Sequence, residues 1–92
     1  MRYTRNITEA RVETVKALAK QAGLKYVVPT SKATYEGLYA YRAYGGVQLV
    51  AIIEGSTGQT TLKDGFGTER EACLWLDGMI AALRSLTERA AE

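Results

Sequence analysis

The residue types that perform most enzyme chemistry are sparse in this chain. It has no histidine, so the commonest general base and metal ligand is lacking. Its one cysteine, Cys73, borders the apolar side of a predicted helix, and we interpret it as a packing residue. The carboxylates, Glu54 and Asp64 included, form no acid–base pair in the sequence. We therefore expect no catalytic residue, no metal and no cofactor, and predict that the protein is not an enzyme.

Tyrosine is the functional residue type in which the chain is rich. Four of its six tyrosines fall between Tyr35 and Tyr44. A tyrosine side chain combines a large contact area with a polar tip and few rotatable bonds, so it is enriched at binding surfaces. Gly65-Phe66-Gly67 lacks the further residues of a nucleotide-binding motif, and we interpret it as a strand-to-helix turn.

The first element that must support these tyrosines is a helix over residues 7–22. Apolar residues there recur with a period of 3.6. Asn6 with Glu9 predicts a capping box at its start, and Gly23 predicts a left-handed C-cap at its end.

A change of period from 3.6 to 2 predicts strands after this helix. A short strand over 25–28 is followed by strands over 34–44, 47–53 and 60–64. Gly45-Gly46 predicts a two-residue hairpin turn, because both of its positions require positive φ.

A second helix is predicted over residues 69–88, opened by a capping box between Thr68 and Glu71. Its apolar stripe consists of Ala72, Trp75, Leu76, Met79, Leu83 and Leu86, with Leu74 outside it. The chain thus predicts one α+β domain over residues 1–92, in the order α-β-β-β-α. Its antiparallel three-stranded sheet, with 25–28 as a possible fourth edge strand, would carry both helices on one face.

The hairpin turn predicts which residues share a face of the sheet. The expected pairs are Tyr44 with Val47, Arg42 with Leu49, Ala40 with Ala51 and Leu38 with Ile53. Because opposite residues point the same way, these pairs form the face under the helices. The other face is then open, and its predicted partner-binding residues are Tyr35, Tyr39, Tyr41, Val50, Ile52 and Lys63.

Positive charge is concentrated in the N-terminal third of the chain, although the formal net charge is only +2. Residues 1–32 carry seven Lys or Arg against two Glu. Such a distribution suits a solvated helix face, or contacts with phosphate or an acidic protein surface. The candidates for such contacts are Lys16, Lys20, Lys25, Lys32 and Arg42.

The element order, with the run from Gly65 to Ala72 and the later Ala81-Ala82-Leu83, resembles double-stranded-RNA-binding domains. That family opens its second helix with lysines that contact phosphates. Here Glu69 and Glu71 flank a single Arg70, and the family's Gly-Pro-x-His loop is not present. The resemblance therefore implies the topology without the phosphate-binding residues.

Residues 33–86 resemble small phage and prophage accessory proteins of the anti-CRISPR type. The resemblance is carried by the runs 41–49, 65–71 and 76–80. It implies a protein that inhibits a host protein or nucleoprotein complex, and it assigns no individual residue.

Two functions therefore stay open at the level of sequence. The first is a non-enzymatic phage-type inhibitor that binds through the tyrosine-rich face; the alternatives for that face are homodimerisation, or an inert surface or a wrongly assigned face. The second is a small nucleic-acid-binding module that uses the basic N-terminal third of the chain. No apolar run reaches the roughly 18 residues of a membrane span, so we expect no membrane contact and a cytoplasmic location in a bacterial host cell.

Overall fold

A computed structural model describes residues 2–91, and for Asp64, Thr87 and 89–91 it describes the backbone alone. Its elements are α1 (Arg5–Gln21), β1 (Tyr26–Val28), β2 (Ala33–Ala43), β3 (Gly46–Ile53), β4 (Gln59–Gly67) and α2 (Glu69–Ala91). The strands form one antiparallel sheet in the order β1-β2-β3-β4, with both helices on one face. The predicted α+β fold and its fourth edge strand are confirmed.

Local hydrogen bonds fix three of the helix ends. The cap of α1 is Thr4, whose hydroxyl accepts from the amide of Ile7, so the predicted capping box at Asn6 is wrong by one half-turn. At the other end of α1, Gly23 has φ +72° and its amide donates to the Lys20 carbonyl, as the glycine predicts. Thr68 and Glu71 form the predicted capping box of α2.

The β2–β3 hairpin turns one residue earlier than predicted. Tyr44 and Gly45 occupy the turn with φ of +53° and +74°, and Ala43 pairs with Gly46. Arg42 therefore lies opposite Val47 and not Leu49. The displacement is two residues, an even number, so each residue of the paired segment keeps its predicted face.

Three bulges interrupt the strand pairing outside that segment. Residues 34–37 of β2 lie opposite the single residue Ile52 of β3. In β4, Leu62 is an extra residue between Thr61, opposite Val50, and Lys63, opposite Leu49, and residues 64–66 lie opposite Gln48. Such insertions break the alternation of side chains between the two faces. Tyr35 consequently packs against the core, and Lys63 lies opposite Leu49 on the helix-covered face.

The core lies between the sheet and two helices that run in the same direction. Thr8 contacts Glu69 and Cys73, and one turn later Arg11 contacts Asp77, which gives this parallel orientation. The largest fully buried side chains of the core cluster are Leu38, Leu49, Leu76, Val12, Val15 and Val47. Leu86 is 47% exposed, so its predicted core position is wrong.

Candidate functional site: the open face of the sheet

The face of the sheet away from the helices is built from the alternate residues of three strands. Tyr41 pairs with Gln48, Tyr39 with Val50, Val50 with Thr61, and Ile52 with Gln59. These side chains point away from the core because their neighbours along the strands, Leu38, Leu49 and Ala51 among them, point into it. We call these paired residues the ladder of the open face, and none of their side chains carries a charge.

Tyr39 covers the centre of this face. Its hydroxyl donates to the side-chain oxygen of Gln59 on β4, although Tyr39 itself belongs to β2. The ring must therefore cross β3, and Val50 beneath it is fully buried on a face that no helix covers. The main role of Tyr39 is thus to shield the Val50 side chain from solvent.

The exposed aromatic side chains gather at the hairpin end of the face. The Phe66 ring lies 5.9 Å from the Tyr41 ring and 5.3 Å from the Tyr44 ring, the latter nearly edge-on at 71°. Tyr41 is 43% exposed and Tyr44 is 93% exposed. We call these three residues the aromatic corner.

Phe66 reaches the open face because Gly46 allows a close approach. A Cβ atom on Gly46 would lie 2.8 Å from the Cβ of Phe66, a distance that side chains do not tolerate. The second glycine of the hairpin is therefore required for packing, whereas its neighbour Gly45 is required for positive φ.

Tyr44 is the most unusual residue of the aromatic corner. A bulky side chain at φ +53° is in a left-handed conformation that usually favours glycine, asparagine or aspartate. The energetic cost of this conformation is of order 1–3 kcal/mol. Burial does not offset it, because the ring is almost entirely in solvent.

The structure distributes the six predicted partner-binding residues over both faces. Tyr39, Tyr41 and Ile52 lie on the open face, and Ile52 is 44% exposed. Val50 is on the same face but has no exposed surface to offer a partner. Tyr35 and Lys63, the other two predicted residues, lie on the helix side: Tyr35 because of the bulge at residues 34–37, and Lys63 because Leu62 is inserted before it.

Sequence reasoning missed Phe66 and Tyr44 as members of the open surface. Phe66 had been interpreted as part of a turn, and Tyr44 had been expected opposite Val47 on the helix-covered face. The signal for Phe66 was its position between two glycines, Gly65 with φ +77° and Gly67, which is typical of a bulged strand end.

The five basic residues predicted to contact phosphate or an acidic protein surface do not lie together in the structure. Lys16, Lys20 and Lys25 line one pocket at the end of α1, whereas Lys32 lies in the β1–β2 loop. Arg42 is engaged inside the protein, with ion pairs of 2.6 Å to Glu9 and 3.0 Å to Glu69. An arginine held by two carboxylates is not free to bind phosphate.

The Arg42 cluster joins both helices to the sheet. Burial alone would raise the pKa of Glu69, but hydrogen bonds from Thr8 and Arg42 outweigh it and lower that pKa. Burial likewise opposes the charge of Arg42, and the hydrogen bonds from it to Glu69 and Glu9 raise its pKa. The buried Cys73 thiol contacts the Thr8 hydroxyl at 3.3 Å, which agrees with its predicted packing role.

Comparison with protein-family models, with curated proteins and with solved structures finds no match to this chain. Among the residues of 2–91 whose side chains the structure describes, no group of three or more histidine, cysteine or acidic side chains is placed to hold a metal ion. In the same range no helix is long and apolar enough to cross a membrane.

Proposed function

We propose that this protein is a non-enzymatic binding protein that attaches to a partner protein through the open face, with the aromatic corner as the principal contact. The observation that carries the proposal is Tyr44, a large aromatic side chain held at positive φ and 93% exposed. A strained and exposed aromatic residue lowers the stability of the isolated protein. Insertion of its ring into a pocket of a partner would provide the compensating burial.

The absence of charge in the ladder of the open face favours a protein partner over a nucleic acid. Phosphate binding requires lysine or arginine beside the aromatic rings, and the ladder offers Gln48, Thr61 and Gln59. A complementary surface is apolar and concave, with acceptors for the tyrosine hydroxyls. That is the chemistry of a protein interface centre.

The resemblance to phage accessory proteins supports a more specific form of the proposal. In that form the partner is a host protein or nucleoprotein complex in the bacterial cytoplasm, and binding inhibits it. The aromatic corner would then occupy a site that the partner needs for its own activity.

Photocrosslinking from defined positions tests the proposal. One variant carries p-benzoylphenylalanine in place of Tyr44, and its matched control carries it in place of Leu74, which is 50% exposed on α2. In bacterial lysate we expect one protein to crosslink to position 44 and not to position 74. Equal crosslinking from both positions, a crosslink to a second copy of this chain, or a crosslink to nucleic acid would each contradict the proposal.

The crosslinked protein is then purified and its affinity measured against surface variants. Tyr44→Ser and Ile52→Ser should each weaken binding about tenfold or more, the usual effect of removing an interface anchor. Leu74→Ser and Leu86→Ser remove similarly exposed apolar side chains from α2 and should leave the affinity unchanged. A steep loss of affinity with salt for the wild type would argue for phosphate binding and against an aromatic interface.

A further inference from the structure

A pocket of about 280 Å³ lies on the helix side of the molecule, where the end of α1 and the loop after it meet β2. Its lining includes Lys16, Lys20, Leu24, Lys25, Tyr35 and Glu36. Tyr35 packs against the core from this side of the sheet, so the pocket is separate from the open aromatic face.

Positive charge predominates around the pocket, because three lysines line it against one glutamate. Lys25 is already paired with Glu54 at 2.8 Å. Lys16 is 3.7 Å from Glu13, whose side chain is 72% exposed, and such a pair is weak. Lys20 makes no ion pair with any side chain that the structure describes. The lysines therefore retain capacity for an anion.

The end of α1 does not oppose an anion there as an open helix C-terminus would. The carbonyls of Leu18, Lys20 and Ala19 accept hydrogen bonds from the amides of residues 22, 23 and 24 respectively, at 2.9–3.1 Å. These bonds satisfy three of the last four carbonyls of α1, which would otherwise present partial negative charge to the pocket.

The same turn gives the pocket an apolar side. It places Leu24, 38% exposed, beside the half-buried ring of Tyr35. Burial of Tyr35 raises the pKa of its phenol, so the ring stays neutral at physiological pH. A ligand that fits this lining has an anionic group for the lysines and an apolar body for Leu24 and Tyr35.

We propose that this pocket binds a small phosphate monoester whose ester group is apolar. Pockets for drug-sized ligands start at about 300 Å³, so a volume of about 280 Å³ suits a ligand of the size of phenyl phosphate. The phosphate contacts Lys16 and Lys20, and the apolar group packs on Leu24.

Phenyl phosphate is the probe in the test. Inorganic phosphate, which has the anionic group alone, and phenol, which has the aromatic group alone, are the controls. All titrations are followed by amide chemical shifts in phosphate-free buffer at constant ionic strength. We expect saturable shifts in residues 20–25 and 34–36 with phenyl phosphate, at least tenfold weaker binding of inorganic phosphate, and no saturation with phenol. Equal affinity for phenyl and inorganic phosphate, no saturation with any probe, or shifts centred elsewhere would overturn the proposal.

Variants separate this pocket from general electrostatic attraction. The double substitution Lys16→Met with Lys20→Met should weaken phenyl phosphate binding about tenfold. Leu24→Ser should reduce the preference for phenyl over inorganic phosphate about threefold. Lys32→Asn removes a lysine outside the pocket lining, and asparagine tolerates the φ of +61° at that position. If Lys32→Asn weakens binding as much as the double substitution, the attraction is nonspecific and the proposed site is wrong.

Discussion

The hydroxyl of Tyr39 donates to the side-chain oxygen of Gln59 across the whole width of β3. This bond joins the two strands that flank β3, and the Tyr39 ring closes the open face over Val50. The side of the sheet without helices thus has a small apolar layer of its own.

Removal of the Tyr39 ring should destabilise the protein more than removal of its hydroxyl. We expect Tyr39→Phe to lower the free energy of unfolding by about 1 kcal/mol, the usual value of one hydrogen bond. Tyr39→Ser also exposes Val50 and should cost about 2–3 kcal/mol. Urea unfolding followed by Trp75 fluorescence measures both. Tyr41→Ser is the control, and a cost for Tyr39→Ser no greater than for this variant would refute the covering role.

Replacement of Tyr44 by asparagine should stabilise the isolated protein. Relief of about 1–3 kcal/mol of backbone strain exceeds the roughly 0.5–1.5 kcal/mol of the lost ring contact with Phe66, which leaves a gain of about 1 kcal/mol. Tyr44→Val, which is β-branched, should destabilise at the same position. Thermal and urea unfolding of the two variants test this, and an asparagine variant less stable than the wild type would show that the turn is not strained.

Loss of the Arg42 side chain should weaken the junction of the helices with the sheet. Arg42→Met leaves the carboxylates of Glu9 and Glu69 without their shared cation, at a cost of about 1–3 kcal/mol for a partly buried cluster. Arg84→Met removes an exposed arginine from α2 and is the control. Equal unfolding midpoints for the two variants would mean that the ion pairs contribute nothing.

The contribution of Glu69 should depend on pH in the acidic range. Its pKa in the folded protein lies below its ordinary value of 4.5, so the unfolded chain takes up a proton first as the pH falls. The stabilisation is therefore complete above about pH 4.5 and is lost as the pH falls through the folded pKa. Unfolding of the wild type and of Glu69→Gln at pH 3–7 should show a difference in stability that shrinks below about pH 4.5. A constant difference across this range would contradict the assignment, and Glu88→Gln controls for the amide substitution.

Two glycine-to-alanine substitutions should have opposite effects. A Cβ on Gly37 would lie 2.8 Å from the Cβ of Ile52 and 2.9 Å from its backbone nitrogen, so Gly37→Ala should cost about 1–3 kcal/mol. A Cβ on Gly78, inside α2, meets no atom within 4 Å, and Gly78→Ala should stabilise by about 1 kcal/mol through helix propensity. Comparison of their unfolding midpoints checks both signs, and a stabilising Gly37→Ala would show that the bulge of β2 adjusts freely.

The fold and the faces of the central hairpin follow from local patterns, whereas the outline of the binding surface does not. Alternation along 38–42 and 47–51 specified which residues lie under the helices, and a two-residue displacement of the register could not change that. Tyr35 and Lys63 changed face because bulges interrupt the alternation. The bulge at residues 34–37 brings Gly37 close to Ile52, and the bulge in β4 inserts Leu62 before Lys63; period and composition encode neither insertion.

The parallel orientation of the helices bears on how this protein is best attached to a surface or a fusion partner. Arg42 holds the hairpin end of the sheet beside the start of α2, and α2 then runs about 35 Å away from it. A linker after α2 consequently leaves Tyr44 facing outward, whereas a tag before α1 sits next to the hairpin. Immobilisation through the carboxyl end is therefore the arrangement in which a sensor would detect binding at the aromatic corner without obstruction.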